Sequence, residues 1–470
     1  MKFLSGLDGV FLHLETPAIP MHVGSLSLLE PPPGRRGSFA GKVRRLYGRR
    51  LPLAPVLSRR LHEFPLGMAN PVWVQAPAVD LDYHIRHVTL PAPGTWAQLE
   101  ECVGALHSTP LDRSHPLWTG YVIEGLRDGR IAFYTNIHHA VVDGQAGVEL
   151  MRALFDLSPR ARRPASAKAH GAAEEPGAGT LIAQALQHDI AEYWRLVRDL
   201  PAMARALRPR AGRKAGIATG GAGLGPRTPL NVAIDGRRGF ATASVPFADA
   251  HAIAAAHGAT VNDVVLATCA GALRRYLGRH GGVPPEPLIA GMPVSLRGPG
   301  AVEFTTQATM VRVGLATGIA DPVRRLRAIR DAAGTVKAMV QQARSVVPMD
   351  FPSIGVPWVL QVLAKLYGRS RVAGVMPALA NVVISNIPGP QVPLYAAGAR
   401  MNTYWPVSIV EHGLGLNITA LSYAGAMGFG FTTARAAVPD AHQLTDALAA
   451  SFEELVAKTR GTLPATGRAR

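Results

Sequence analysis

Two segments near the middle of the chain are built from residues that do not pack into a core. "SPRARRPASAKAHGAAEEPGAGT", Ser158 to Thr180, and "RPRAGRKAGIATGGAGLGPRTP", Arg208 to Pro229, are dense in Pro, Gly, Ala and charge, the composition of a surface connection. Between them lies one helical pattern, "LIAQALQHDIAEYWRLVRDL", stopped by Pro201. The glycines at 220, 221, 223 and 225 do not fit a dinucleotide-binding fingerprint and have no strand–helix pair around them, so they read as a flexible connection. A chain of 470 residues exceeds one ordinary core. The two segments say where it divides: residues 1–157, a basic linker with one helix over 158–230, and residues 231–470. Strand and helix patterns alternate in both outer parts, which is an α/β arrangement.

Strand-like runs in the first part include "HVGSLSLLE", "HIRHVTLP", "LWTGYVIEGL" and "RIAFYTNIHH", with a helical pattern at "TWAQLEECVGALHST". The second part ends in the helical pattern "AHQLTDALAASFEELVAKTR". Hydrophobic residues make up 48% of the chain and the mean hydropathy is +0.12, as in a globular, rather apolar protein. The opening "MKFLSGLDGVFLHLETPAIPMHVG" is broken by Asp8, His13 and Glu15, so it is not expected to be a secretory signal. The uncharged run Gly413–Ala434 carries glycines, Asn417, Thr419 and Ser422, and is expected to form two buried strands rather than a membrane span. Only two cysteines occur, Cys102 and Cys269, which excludes a disulfide framework and a Cys-rich zinc site and suits a reducing compartment.

Net charge is +17 with a pI near 10.5. Such a balance suits a solvated basic surface, an anionic membrane or a phosphorylated ligand. Nucleic acid is not expected as a partner, because no recognition motif is present and aromatic residues are only 6% of the chain.

The most specific pattern is "TNIHHAVVDG", residues 135–144. The run before it alternates like a strand, so Ile131, Phe133, Thr135, Ile137 and His139 share one face, and Ala132, Tyr134, Asn136 and His138 the other. The two imidazoles diverge. They do not converge on a metal ion, and no HExxH or third clustered ligand accompanies them, so no metal or other cofactor is expected. Asp143 and Gly144 signal a turn. The four-residue spacing returns Asp143 towards His139, where it can brace the loop that presents this ring as a general base. His138, on the opposite face, is expected to hold the loop by hydrogen bonding. A plain strand end followed by a turn is the bland alternative for any single histidine, but H-H-x-x-x-D-G as a whole arises by chance in roughly one chain in a thousand of this length.

HHxxxDG resembles the signature of the CoA-dependent acyltransferase superfamily, which includes nonribosomal condensation domains, plant acyltransferases and, in shorter form, chloramphenicol acetyltransferase. The remaining segments resemble the bacterial wax ester synthase/acyl-CoA:diacylglycerol acyltransferase family. They are "LSGLDGVFLHLETPAIPMHVG", "LDYHIRHVTLPAPG", "PLDRSHPLW", "GLRDGRIAFYTNIHHAVVDG", "TVNDVVLA" with Asn262 and Asp263, "PVSLR" ending at Arg297, "SNIPGP" and "LNITALSYAG". Two departures stand out. "QAG" follows the motif where relatives often have a serine, and Thr432–Ala437 replaces a usually acidic stretch with Ala434 and Ala436 at expected acidic positions.

The resemblance implies two similar chloramphenicol-acetyltransferase-like α/β domains with a channel between them. It implies transfer of a long acyl group from acyl-CoA, a co-substrate, to diacylglycerol or a long-chain alcohol. His139 is the expected base, with no covalent acyl-enzyme, since neither a G-x-S-x-G elbow nor a reactive cysteine motif is present. Asn262 is a candidate donor to the oxyanion or a positioning group, while "TVND" also has the form of a helix cap. Arg297 can be read as a CoA phosphate contact or as an ordinary ion pair, and is left out of the catalytic set. A cytoplasmic enzyme bound peripherally to membrane or lipid inclusions fits the basic charge. Two rivals remain: acyl transfer or condensation onto a carrier-bound or polyketide acceptor, and a non-catalytic homologue that binds lipid surfaces.

Overall fold

The computed structural model describes residues 2–31, 37–64, 69–162, 223–295, 308–343 and 378–462, with 177, 179, 180, 183, 186–191, 194 and 198 between them. Most of the linker helix pattern and Arg297 therefore lie outside the described residues. Among the described residues the strands form a seven-stranded, a six-stranded and a small three-stranded sheet.

The first large sheet is built on Ile131–His138, which pairs antiparallel with His22–Glu30 on one side and Trp118–Glu124 on the other. Ile85–Thr89 adds to the outside of Trp118–Glu124 in parallel. The alternation read from the sequence holds. Ile131 and Phe133 bury in one core with Tyr47 and Trp118, whereas Ala132 and Tyr134 bury in another with Leu99 and Val103. The helix Trp96–His107 begins where Thr95 and Gln98 form a reciprocal capping box.

The second large sheet runs in the order Ala308–Gly314, Ile289–Ser295, Val382–Pro388, Leu416–Tyr423, Ala426–Ala434, Arg238–Pro246. Gly413–Ala434 thus contains two buried antiparallel strands, as its composition suggests. Val261–Arg279, rich in Ala, Val and Leu, is buried on most sides in a core shared with Pro322–Ala343 and His442–Thr462. No single helix among the described residues is long and apolar enough to cross a membrane.

The two halves are not cleanly separate. Residues of the second half cross back, and Tyr395–Ala396, Ala399–Met401 and Trp405–Val407 join the first sheet, the last two beside His22–Glu30. The reason is burial: Leu394, Ala396, Ala399 and Met401 complete the first core. Polar contacts reinforce the junction. Thr242 donates from its N–H and its hydroxyl to Glu100 Oε1, both at 2.7 Å, and Arg435 pairs with Glu101.

Where Trp405–Val407 passes over Ala426–Ala434, only glycine fits at 430. A Cβ there would lie 1.7 Å from the Pro406 carbonyl oxygen. Gly430→Ala is therefore expected to lose about 1–3 kcal/mol of stability through overpacking. Thermal unfolding measures it, and an unchanged Tm would contradict the close approach.

Candidate active site

The histidine motif sits where the first sheet ends against the second. His138 is the last residue of its strand, opposite His22. It is completely buried, and its Nδ1 accepts the Ala140 N–H at 3.1 Å. That bond places the ring proton on Nε2, which faces Glu15 Oε1 at 3.5 Å. Glu15 is held in turn by Arg113, whose Nε and Nη2 donate to Oε2 at 3.2 and 2.9 Å. Burial alone would raise the Glu15 carboxyl, but His138 and Arg113 outweigh it and hold it at about 2.

His139 points the other way, as strand alternation requires. Its N–H donates to the Met21 carbonyl at 2.8 Å, and its ring stacks on Phe11 with centroids 4.1 Å apart. The ring lines a cavity of about 630 Å³, together with Thr135 and Ile137 from the same strand face. Desolvation pulls the imidazole down to about 4, more than the nearby Asp143 carboxylate raises it. The ring is therefore neutral at physiological pH, the form that can accept a proton. Nδ1 is fully covered by protein, which leaves Nε2 as the nitrogen that can meet a ligand.

Asp143 is the N-cap of Gly144–Leu154, where its Oδ1 accepts the Ala146 N–H at 2.9 Å. Gly144 is the first residue of that helix. The helix carries Val148, Met151 and Leu154 into the cavity wall. With Tyr47, Leu57 and Trp118 they make an apolar part of that wall. Trp118 is fixed there by its Nε1–H bond to the Leu57 carbonyl at 2.8 Å and by stacking on Tyr47.

The second half supplies polar groups. Ser385, Asn386, Glu411 and Asn417 line the same space. Burial raises the Glu411 carboxyl from its ordinary value. Ser25 and Thr135 share a hydroxyl–hydroxyl bond of 2.9 Å in the wall, and Tyr404 bonds to Ser25.

Asn262 is not among the residues lining this cavity. Its amide points to the Met292 sulfur at 3.5 Å, and Thr260 and Asp263 around it form the capping box that starts Val261–Arg279. The motif "TVND" is thus accounted for by helix initiation, and the structure does not bring Asn262 to His139. Among the described residues no group of three or more His, Cys, Asp or Glu is arranged to hold a metal ion.

Comparison with known proteins decides the family. Residues 4–265 match the wax ester synthase/diacylglycerol acyltransferase catalytic domain, and residues 306–456 match the C-terminal domain of the same family. The chain belongs to the wax ester synthase/diacylglycerol acyltransferase family. A Mycobacterium tuberculosis protein named as a diacylglycerol O-acyltransferase is 36% identical over 456 residues, covering 96% of this chain and 99% of that one. A Mycobacterium bovis protein of the same description is 36% identical over 468 residues, covering 96% and 90%. The solved wax ester synthase/diacylglycerol acyltransferase of Marinobacter aquaeolei VT8 superposes with a TM-score of 0.69 at 30% identity, over 98% of this chain and 100% of that one. The first condensation domain of the calcium-dependent antibiotic synthetase matches at TM-score 0.55 and 16% identity over 98% and 96%, and so shares the fold.

The protein is an acyltransferase of this family, and its α/β architecture is the one its sequence implies. Within this acyltransferase the unusual stretch Thr432–Ala437 has a visible job. Thr432 Oγ1 accepts the Ser408 N–H at 2.9 Å, Ala434 is fully buried, and Arg435 reaches across to Glu101. With Ala434 fully buried, an acidic side chain at 434 would carry a desolvation cost. Glu15 and Arg113 are the site residues that reading by motif passed over. Both lie in segments that carry the family resemblance, but they are 98 residues apart and nothing local signals their pairing.

Proposed function

We propose that the protein transfers a long acyl group from acyl-CoA to the hydroxyl of diacylglycerol or a long-chain alcohol, with His139 Nε2 as general base. One observation carries this reading: a neutral imidazole stands in the wall of a largely apolar cavity between the two sheets. At about 630 Å³ the cavity falls within the usual range for lipid- and drug-sized ligands, about 300–1,000 Å³. Its aromatic and aliphatic surface suits an alkyl chain.

An alcohol is a weak nucleophile at neutral pH, so the base must take its proton as the oxygen attacks the thioester carbon. The tetrahedral intermediate carries its charge on the former carbonyl oxygen, and a donor must meet it there. Ser385 and Asn386 line the cavity and are candidates. Collapse of the intermediate breaks the C–S bond, and the imidazolium returns its proton to the departing CoA sulfur. The ester and free CoA leave, with no acyl-enzyme formed. The net charge of +17 would help the protein sit at an anionic lipid surface where such acceptors are found.

Purified protein incubated with labelled palmitoyl-CoA and either diacylglycerol or hexadecanol is expected to form labelled triacylglycerol or wax ester. A folded sample that forms neither would overturn the proposal. Turnover only with a phosphopantetheine-linked acceptor would transfer it to the carrier-dependent alternative.

A further inference from the structure

We infer that Glu15 is a positioning residue for acyl transfer: anchored by Arg113, it fixes the tautomer of His138 and, through Met21, the backbone of His139. The inference rests on His139 being the base, but its geometry stands apart from that reading.

A single carboxylate connects three parts of the motif's cradle. Glu15 Oε1 faces His138 Nε2 at 3.5 Å and accepts the Met21 N–H at 3.3 Å. The Met21 carbonyl is the acceptor of the His139 N–H at 2.8 Å, so the residue that holds the second histidine is itself held by Glu15 through its N–H. On the other side of the carboxylate, Arg113 donates to Oε2 and, with Nη2, to the Leu12 carbonyl at 2.6 Å. Leu12 lies in the last turn of the helix Gly6–Leu14, which presents Phe11 to the His139 ring. Arg113 therefore locks the end of the helix that stacks on His139 to the carboxylate that faces His138.

The chemistry requires a carboxylate here and not merely a polar residue. Because Ala140 donates to His138 Nδ1, that ring must present Nε2–H, and a buried N–H needs an acceptor. The Glu15 anion, 3.5 Å from Nε2, acts on that N–H by its charge, stabilises the required tautomer and keeps the strand end from shifting. Glu15 and His138 are both nearly closed to solvent, with side chains 8% and 1% exposed. A rotation of the His138 plane would move Ala140 and the turn that carries His139. Displacements of about 1 Å at a reacting group cost on the order of 10²-fold in rate.

The test uses the full chain. Long-range ¹⁵N–¹H correlation of the histidine side chains is expected to show His138 protonated at Nε2 and bare at Nδ1 in the wild type. Glu15→Gln is expected to lower kcat for labelled ester formation by about 10–100-fold with KM for palmitoyl-CoA unchanged, and to broaden or split the His138 signals. Arg113→Lys, which keeps a cation beside Oε2 but cannot make the paired bonds to Oε2 and the Leu12 carbonyl, is expected to lower kcat in the same direction, by less than Glu15→Gln. A wild-type His138 with its proton on Nδ1 would overturn the inference whether or not the enzyme turns over. So would a folded Glu15→Gln variant with wild-type kcat. Should Glu15→Gln fail to fold, Glu15→Asp decides. Its shortened carboxylate is expected to lower kcat without touching KM, and full activity would overturn the inference. Failure of the base reading looks different, because His139→Ala would then keep its activity while the His138 tautomer remained as described.

Discussion

His139→Ala is expected to lower kcat for acyl transfer by about 10²–10⁴-fold, the usual contribution of a general base. KM for palmitoyl-CoA is expected to hold, because the interaction removed is made with the proton in flight and not with the bound thioester. The fold should tolerate the change. The ring stacks on Phe11 at the cavity wall, and its removal enlarges a space that already exists rather than opening a void in close packing. Its ionisation adds a pH signature. Desolvation holds the imidazole at about 4, so the neutral form prevails above that pH. Protonation on the acid side removes the base, so wild-type kcat should be level from pH 6 to 8 and fall as pH drops towards the His139 value. A radiolabelled product assay across this range, with circular dichroism as a check on folding, measures both effects. A rate that climbs steeply between pH 6 and 8 would contradict the lowered His139 value.

Asp156→Ala is expected to cost about 3–5 kcal/mol of stability, the range for leaving one member of a buried ion pair without its partner. Arg50 and Asp156 are an ion pair with side chains only 1% and 3% exposed. Asp156 also accepts the Arg162 N–H at 3.0 Å and exchanges two backbone bonds with Tyr395. It therefore ties three elements together: the end of Phe39–Arg50, the chain just past Gly144–Leu154, and the first strand of the returning segment. Loss of the carboxylate strands the Arg50 guanidinium in a dry core. Urea unfolding followed by tryptophan fluorescence measures the change. Replacing both partners by apolar residues of similar volume is expected to recover much of the loss, because the penalty lies in the unpaired charge. A change below about 1 kcal/mol in the single variant would show that water reaches Arg50.

Both predictions depend on features that differ in how far the sequence reveals them. Strand alternation over 131–139 separates the two imidazoles without any tertiary information, and the structure puts Thr135, Ile137 and His139 on the cavity side. The capping residues at Thr95 and Thr260 are legible because a cap is a local arrangement spanning four residues. "TVND" also shows how such a motif can carry more meaning than its geometry supports, since Asn262 turns to Met292 and is not among the residues that line the cavity. Long-range pairings leave no local mark. The Glu15–Arg113 contact spans 98 residues and the Arg50–Asp156 pair 106. Each partner is an unremarked charge in its own segment. The return of Tyr395–Val407 to the first sheet is hidden for the same reason. Its strands are two or three residues long, too short for a period to show, and their place is set by Leu394, Ala396 and Met401 burying in the first core.

The most direct test of the account is the turnover of His139→Ala beside that of His138→Ala, at matched folding and saturating palmitoyl-CoA and acceptor. If proton transfer belongs to the ring in the cavity, the His139 variant loses far more kcat, while the His138 variant shows the smaller loss of a disturbed support. Equal losses, or a larger one at His138, would contradict the assignment.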